Sequence, residues 1–380
     1  MQTGRRSNRE ALAKSGANTL REILSQPETW TETAKRLASS SAFAEIPKLF
    51  SPGEPWLFVA CGSSYYLSRM IAAQWTKLLR TTCAAVPASE MLFASEEILT
   101  RTGAKQVVLV SRSGKTTEVL RVAKLLAARD GVHTLGITCN EHSELADSCT
   151  VTLSLPWADE KSLVMTRSFT AILLLSAKLA ADFTGDAQLT AALGRLPAKA
   201  SAWLANNADK IQAFGAGRRF GDFVFLGQQT HYCLAQEGAL KMTEMSSSYA
   251  QAYHTLEFRH GPKSIAGPDT LITFLLSEAT AAEESPLVAE GKKLGAATMV
   301  VGNHVTSTVR KAADLAVDLE FDEPEFARLA LAAIPAQLLG LAVGLRKGLN
   351  PDQPKNLTRA VVLDADDSSH AAALRKRSSD

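Results

Sequence analysis

Residues 57–68 read LFVACGSSYYLS, and residues 224–241 read VFLGQQTHYCLAQEGALK. Each is an apolar run followed by a glycine, polar residues and a helical pattern: a strand, a ligand loop and a helix, written twice. A second strand-to-loop pair follows each at a similar interval, VVLV (107–110) into SRSGKTTE and LITFLL (271–276) into SEATAAEE. A third pair begins at Leu135 with LGITCNEHSELADSC and at Met299 with MVVGNHVTSTVRKAAD. Three matched segments in one order, each offset by roughly 165 residues, indicate an internally duplicated α/β protein. Function is therefore to be sought where the copies differ.

The bulk properties agree. A chain of 380 residues has room for two domains with real cores. A net charge of +2 without a long basic block disfavours nucleic acid as a partner. The five cysteines, Cys61, Cys83, Cys139, Cys149 and Cys233, have no zinc-like spacing and read as buried thiols of a cytoplasmic protein. The first sixteen residues lack the apolar stretch of a signal peptide. The longest apolar run, Leu329–Leu345, carries Pro335 and Gln337 and reads as a buried helix rather than a membrane span, so no membrane association is expected.

Residues 1–50 read as an N-terminal helical extension, with two helices expected from Leu20, Ile23, Leu24, Trp30, Ala34 and Leu37. Residues 51–197 form the first unit and 198–349 the second, opened by a polar helix from Ala198 to Phe214. Residues 350–380 are a loop and a polar tail. Strands that are apolar throughout, rather than alternating, imply parallel sheets covered on both faces. Such sheets bind ligands at their carboxyl ends, where loops open onto helix N-termini.

The loop SRSGKTTE sits at such an end. Ser111, Ser113, Thr116 and Thr117 around Gly114 offer hydroxyls beside a helix N-terminus, a combination that suits a phosphate. The plainer alternative is a well-capped helix that binds nothing; for CGSS it is a tight turn. Two hydroxyl-rich loops at one sheet edge favour phosphate, and no Rossmann glycine pattern is present for a dinucleotide. In the second copy the corresponding place holds EGALKMTEMSSSYAQAY, read as one helix in which Glu237, Lys241 and Glu244 share a face at i, i+4 and i+7. His260 follows in EFRHGPKS. This stripe is either an ordinary surface ion-pair row or, given Met242 and Met245 between the charges, the wall of a cleft. A carboxylate and an imidazole beside a sugar phosphate suit ring opening and proton transfer between C2 and C1 through an enediol, chemistry that needs neither a metal nor a redox cofactor.

The segments CGSSYYL, SRSGKTTE, EGALKMTE, FRHGPKS and GLNPDQPKNLTRAV together resemble the sugar isomerase (SIS) domain proteins, in the tandem arrangement of the isomerase half of glucosamine-6-phosphate synthase, over roughly Trp56 to Val362. SRSG and FRHGPKS are most similar to the branch of tagatose-6-phosphate ketose/aldose isomerases, some of which are galactosamine-6-phosphate deaminases. The resemblance implies two tandem domains, each a three-layer αβα sandwich of flavodoxin-like type, and a phosphosugar ligand. It implies a homodimer in which His260 opens the sugar ring in the partner's site.

Carried over position by position, the resemblance makes Ser64, Ser111, Ser113 and Thr116 the phosphosugar ligands, with Gly62, Ser63, Arg112 and Gly114 beside them. Glu244 becomes the base that moves the proton, while Lys241 and Glu237 order the site. Arg359 stands where the synthase has its imine-forming lysine, and an arginine cannot form that imine. Gln2 stands where the synthase has its nucleophilic cysteine, so this chain alone is not expected to draw ammonia from glutamine. Arg112 and Lys115 are expected to add positive charge around the phosphate, and Asn350–Val362 to form a lid. Isomerisation and amino-sugar-phosphate deamination both fit. So, as alternatives, do a non-catalytic phosphosugar sensor and a deglycase acting on a sugar-phosphate amino acid conjugate.

Overall fold

The computed structural model describes residues 15–363. Its strands form two five-stranded sheets in which every pairing is parallel. In the first sheet β1 (Trp56–Ala60), β2 (Cys83–Pro87), β3 (Gln106–Val110), β4 (His133–Thr138) and β5 (Val151–Ser154) lie in the order β2-β1-β3-β4-β5. In the second, β6 (Asp222–Gly227), β7 (Ala250–His254), β8 (Thr270–Leu275), β9 (Ala297–Gly302) and β10 (Leu315–Asp318) run β10-β9-β8-β6-β7, the same path read from the other edge. The duplication read from the sequence is therefore a duplicated topology. β1, β3, β8 and β9 are buried along their whole length, as continuous Val, Leu, Ile and Phe runs require when helices cover both faces. The edge strands β2, β5, β7 and β10 are only partly buried.

The two units share one core. The Gly62–Leu79 helix of the first packs on the Thr230–Ser246 helix of the second, and one apolar cluster runs from Trp56, Trp75 and Phe169 through Met242 and Met245 to Leu338 and Leu341. The Glu325–Arg346 helix crosses this interface. Among the described residues it is the one helix long and apolar enough to span a bilayer, and its apolar stretch is enclosed by protein, the buried helix expected. A Cβ added to its Gly344 would lie 2.2 Å from the Met245 carbonyl oxygen. These two helices therefore meet backbone to backbone, which fixes where the Glu237–Glu244 face lies.

Several expected elements differ. Among the described residues, the N-terminal region holds three helices, Ala17–Leu24, Gln26–Ala38 and Ser41–Leu49, because Ser40 accepts the Phe43 N–H and starts a separate helix. The helix expected at Ala198–Phe214 begins eleven residues earlier and spans Ala187–Gly217, its first turn capped by Asp186. The EGALKMTEMSSSYAQAY segment is not one helix. Ser247 turns left-handed (φ 47°) after Ser246, and Ala250–His254 becomes strand β7. Of the cysteines only Cys139 and Cys233 are fully buried; Cys61, Cys83 and Cys149 are half-buried at helix and strand ends.

Candidate active site

β1 and β3 are neighbours, so the loops that leave their carboxyl ends share one rim. Between them lies a cavity of about 220 Å³. Its floor is Cys61, Gly62, Ser63 and Ser64 at the start of the Gly62–Leu79 helix, with Ser111, Arg112, Ser113 and Thr116 from the second loop. Thr116 occupies the N-cap of the Thr117–Ala127 helix but makes no capping bond; its hydroxyl instead lies 3.0 Å from Ser111 Oγ. Ser111 Oγ also accepts the Gly114 N–H at 3.2 Å, and Ser113 Oγ accepts the Lys115 N–H at 3.2 Å. The hydroxyls form a cluster around the turn rather than ordinary caps, and two helix N-termini point at the same space.

Gly114 does not line the cavity; it makes the turn possible. Its φ is +64°, and a Cβ there would lie 2.1 Å from Ser143 Oγ and 2.9 Å from Thr138 Oγ1. The cavity also holds Cys61, whose thiol burial pushes up to about 11, so it is neutral and inert.

Glu244 enters from the second unit and lines the same cavity. Lys241 and Glu237 lie behind it. The Lys241 ammonium contacts Glu244 and is 3.5 Å from Glu237 Oε1. This row is no surface stripe, since Lys241 is 1% and Glu237 2% exposed. Burial raises the Glu237 carboxyl to about 7, an effect that Lys241 offsets only in part. Burial disfavours the Lys241 ammonium, yet the two flanking carboxylates outweigh it and raise its pKa.

The remaining walls contain residues absent from the sequence expectation. Arg112 does not offer its guanidinium to the cavity. It pairs with buried Glu160 (3.2 Å) and donates to the Leu163 carbonyl (2.8 Å) and the Arg359 carbonyl (3.4 Å). The other Glu160 oxygen accepts the Thr166 and Ser168 N–H groups, capping the Arg167–Thr184 helix from a distance. The charge that Arg112 was expected to add is thus matched internally, and Lys115 is exposed. Leu163 and Met165 form one apolar wall, with Ser64 Oγ 3.6 Å from Met165 Sδ. A signal existed: DEK at 159–161 is a charged triplet between apolar runs just before a helix.

Leu357–Val361 roof the cavity, which places the expected lid over the hydroxyl loop. Val361 accepts the Thr117 N–H at 3.2 Å, and the Leu363 N–H donates to Thr117 Oγ1 at 3.0 Å. Arg359 lines the cavity but its guanidinium is engaged by the Glu160 carbonyl (2.6 Å) and by Asp159. His260 is not brought in. It is exposed, on the turns that follow β7, outside the residues that line the cavity.

A protein-family model described as the SIS domain matches residues 54–181 and 221–343. The glutamine–fructose-6-phosphate aminotransferase (isomerizing) of Gluconobacter oxydans is 30% identical over 366 residues, covering 90% of this chain and 58% of that protein. That of Methanothermobacter thermautotrophicus is 27% identical over 351 residues, covering 91% and 57%. The chain thus spans little more than half the length of these relatives. Among solved structures, a glucosamine-6-phosphate deaminase from Thermotoga maritima matches with a TM-score of 0.73 and 31% identity, over 91% of this chain and 100% of that one. A tagatose-6-phosphate ketose/aldose isomerase from Escherichia coli shares the fold, with a TM-score of 0.76 and 20% identity over 91% and 96%.

Proposed function

The chain belongs to the SIS domain family, and we propose that within it the protein is a cofactor-independent enzyme acting at C1 and C2 of a hexosamine 6-phosphate, releasing the nitrogen as ammonia. One observation carries the reading: Glu244 shares a cavity with the Ser64, Ser111, Ser113 and Thr116 hydroxyls. A phosphate held by those hydroxyls and the two helix N-termini puts the other end of the sugar within reach of a carboxylate. Similarity over the whole of the Thermotoga maritima deaminase favours an amino sugar over a plain hexose.

The chemistry balances without a redox partner. Glu244 takes the C2 proton of the open-chain amino aldose, giving a 1,2-enaminol. Return of a proton to C1 gives the imine at C2, and water attacking that carbon releases ammonia and leaves the ketose 6-phosphate. Lys241 orients Glu244, and the Glu237 carboxyl, at about 7, exchanges protons near neutrality beside them. Arg359 cannot form an imine with a ketose, so the nitrogen in the imine is the substrate's own. As the family resemblance implies, His260 serves ring opening from a second copy of the chain; in its own protomer it lies outside the cavity.

The test is a proton NMR time course in D₂O with glucosamine, galactosamine, fructose and tagatose 6-phosphates in parallel. Deuterium at C1 or C2 with ammonia release is the expected result, and Glu244→Gln is expected to lower turnover by about 10²–10⁴-fold while keeping binding. Exchange without loss of nitrogen would reduce the activity to isomerisation. Saturable binding with no exchange would replace the enzyme by a sensor, or by a deglycase that requires a larger group on nitrogen.

A further inference from the structure

The Ala17–Leu24 helix meets the start of the 350–363 segment, the Gly16 N–H donating to Asn350 Oδ1 at 3.1 Å, and has no part in the chemistry above. Ala17–Leu24 carries Thr19 and Glu22 one turn apart, 0% and 1% exposed. Asp352 sits on its first turn. One carboxylate oxygen accepts the Thr19 N–H at 2.8 Å and the Thr19 hydroxyl at 2.7 Å; the other accepts the Asn18 N–H and the Asn18 side-chain amide, both at 3.1 Å. A capping carboxylate ordinarily comes from the residue before the helix. Here that residue is Gly16, which has no side chain to give, and the cap arrives from 333 positions away.

Glu22 holds the other wall. It accepts the Lys161 N–H at 2.6 Å, the Ser162 N–H at 3.3 Å and the Ser162 hydroxyl. The two walls also touch each other, the Leu163 N–H donating to the Asp352 carbonyl at 3.0 Å. Neither residues 159–166 nor residues 350–363 contain a helix or strand, so their backbone groups need partners from elsewhere. The helix is itself anchored in the shared core by Ile23, and the Gln26–Ala38 helix that follows it is held there by the Gln26 amide, which donates to Gln337 at 2.9 Å and accepts from the Thr170 hydroxyl at 2.6 Å.

We propose that the Ala17–Leu24 helix is the clamp of the sugar pocket, with Thr19 and Glu22 as positioning residues that hold the 159–166 wall and the 350–363 roof in register for substrate. The reading rests on that cavity being the sugar-phosphate site. Removing one of these partners leaves the hydroxyl floor and Glu244 in place but lets wall and roof open together, because they are tied to the same turn of helix.

The test uses the full chain with Thr19→Val, Glu22→Gln and the conservative Thr19→Ser, read by amide hydrogen exchange and by steady-state kinetics on hexosamine 6-phosphates. In Thr19→Val and Glu22→Gln, segments 159–166 and 350–363 are expected to exchange about tenfold faster, while 111–116 and 230–246 keep wild-type rates. KM is expected to rise about tenfold with kcat nearly unchanged, and Thr19→Ser is expected to match wild type in both readouts. Unchanged exchange in the two segments would overturn the clamp, as would faster exchange spread evenly through the domain. If Glu22→Gln fails to fold, Thr19→Val, which removes a single hydroxyl, decides the matter. If the wild type turns over none of the sugars, the exchange data still decide the clamp, and only the catalytic reading is lost.

Discussion

Lys241 stands between Glu237 and Glu244 on one helix face, 3.5 Å from the first and in contact with the second, and the three side chains are 1%, 3% and 17% exposed respectively. One cation thus serves a carboxylate closed off from water and another that opens into the cavity. The asymmetry gives the two acids different work. In the proposed reaction Glu244 meets the ligand, while Glu237, whose carboxyl burial raises to about 7, stands behind it.

Glu237 makes stability fall as pH rises. Its folded-state value of about 7 lies above the unfolded 4.5, so between these the folded chain binds more protons than the unfolded one. The stabilising contribution is complete below 4.5 and is lost as pH passes through 7. Thermal melts of Glu237→Gln across pH 4–8 are expected to lack this decline, and the variant is expected to be at least as stable as wild type at pH 8. A parallel offset between the two curves would contradict the assignment.

Removing the cation has the opposite consequence. Lys241→Met leaves two adjacent carboxylates without their counter-charge and is expected to cost about 3–5 kcal/mol in denaturant unfolding. The same variant should move the Glu237 titration further up, which a pH series of melts would register.

Gly114→Ala combines a backbone strain with a collision, since φ is +64° and the new methyl meets Ser143 Oγ at 2.1 Å. The expected loss is on the order of 3 kcal/mol, together with loss of phosphosugar binding. Adding Ser143→Gly removes the collision with Ser143 but leaves the strain and the 2.9 Å approach to Thr138 Oγ1, so the double variant is expected to recover only part of the stability in a double-mutant cycle.

Two truncations separate roof from cap. Ending the chain after Pro354 removes Leu357–Val361 but keeps Asp352 on the Ala17–Leu24 helix. It is expected to melt near wild type while turnover collapses. Ending it before Asn350 also uncaps that helix and is expected to cost about 1–3 kcal/mol more. Equal melting temperatures for the two would refute the capping role of Asp352.

Borohydride reduction during turnover is expected to leave the protein unmodified by mass spectrometry. Arg359, which the family resemblance sets at the lysine's place, lies in the roof and is held by Asp159 and the Glu160 carbonyl, and a guanidinium does not condense with a ketose. A sugar adduct on Arg359→Lys alone would show that the roof still presents this position to the substrate.

The features that were legible are those written in short stretches of chain. The strand–loop–helix repeats, the hydroxyl cluster from Ser111 to Thr116 and the shared face of Glu237, Lys241 and Glu244 all follow from spacing within one or two turns. The stop after Ser246 was not legible, because MSSSYAQAY contains neither Gly nor Pro, and Ser247 adopts a left-handed conformation that nothing in its own identity demands. The ion pair of Arg112 was not legible for a related reason. The resemblance of its loop to the synthase's led us to expect added positive charge around a phosphate, whereas the partner of its guanidinium, Glu160, lies 48 residues away.

What the sequence determined by itself was therefore the duplicated parallel α/β architecture, the hydroxyl-rich loop at the end of β3 and the acid that shares its cavity. Hydrophobic periodicity and turn chemistry are local and accumulate along the chain, so they can be read without knowing what packs against what. Only the tertiary structure decided that Glu237 is closed off from water, that the Arg112 and Arg359 guanidinium groups pair within the cavity walls, and that Thr19 meets Asp352. Those outcomes depend on which distant groups burial leaves facing one another once water is excluded, and a buried charge takes whatever partner the packing supplies.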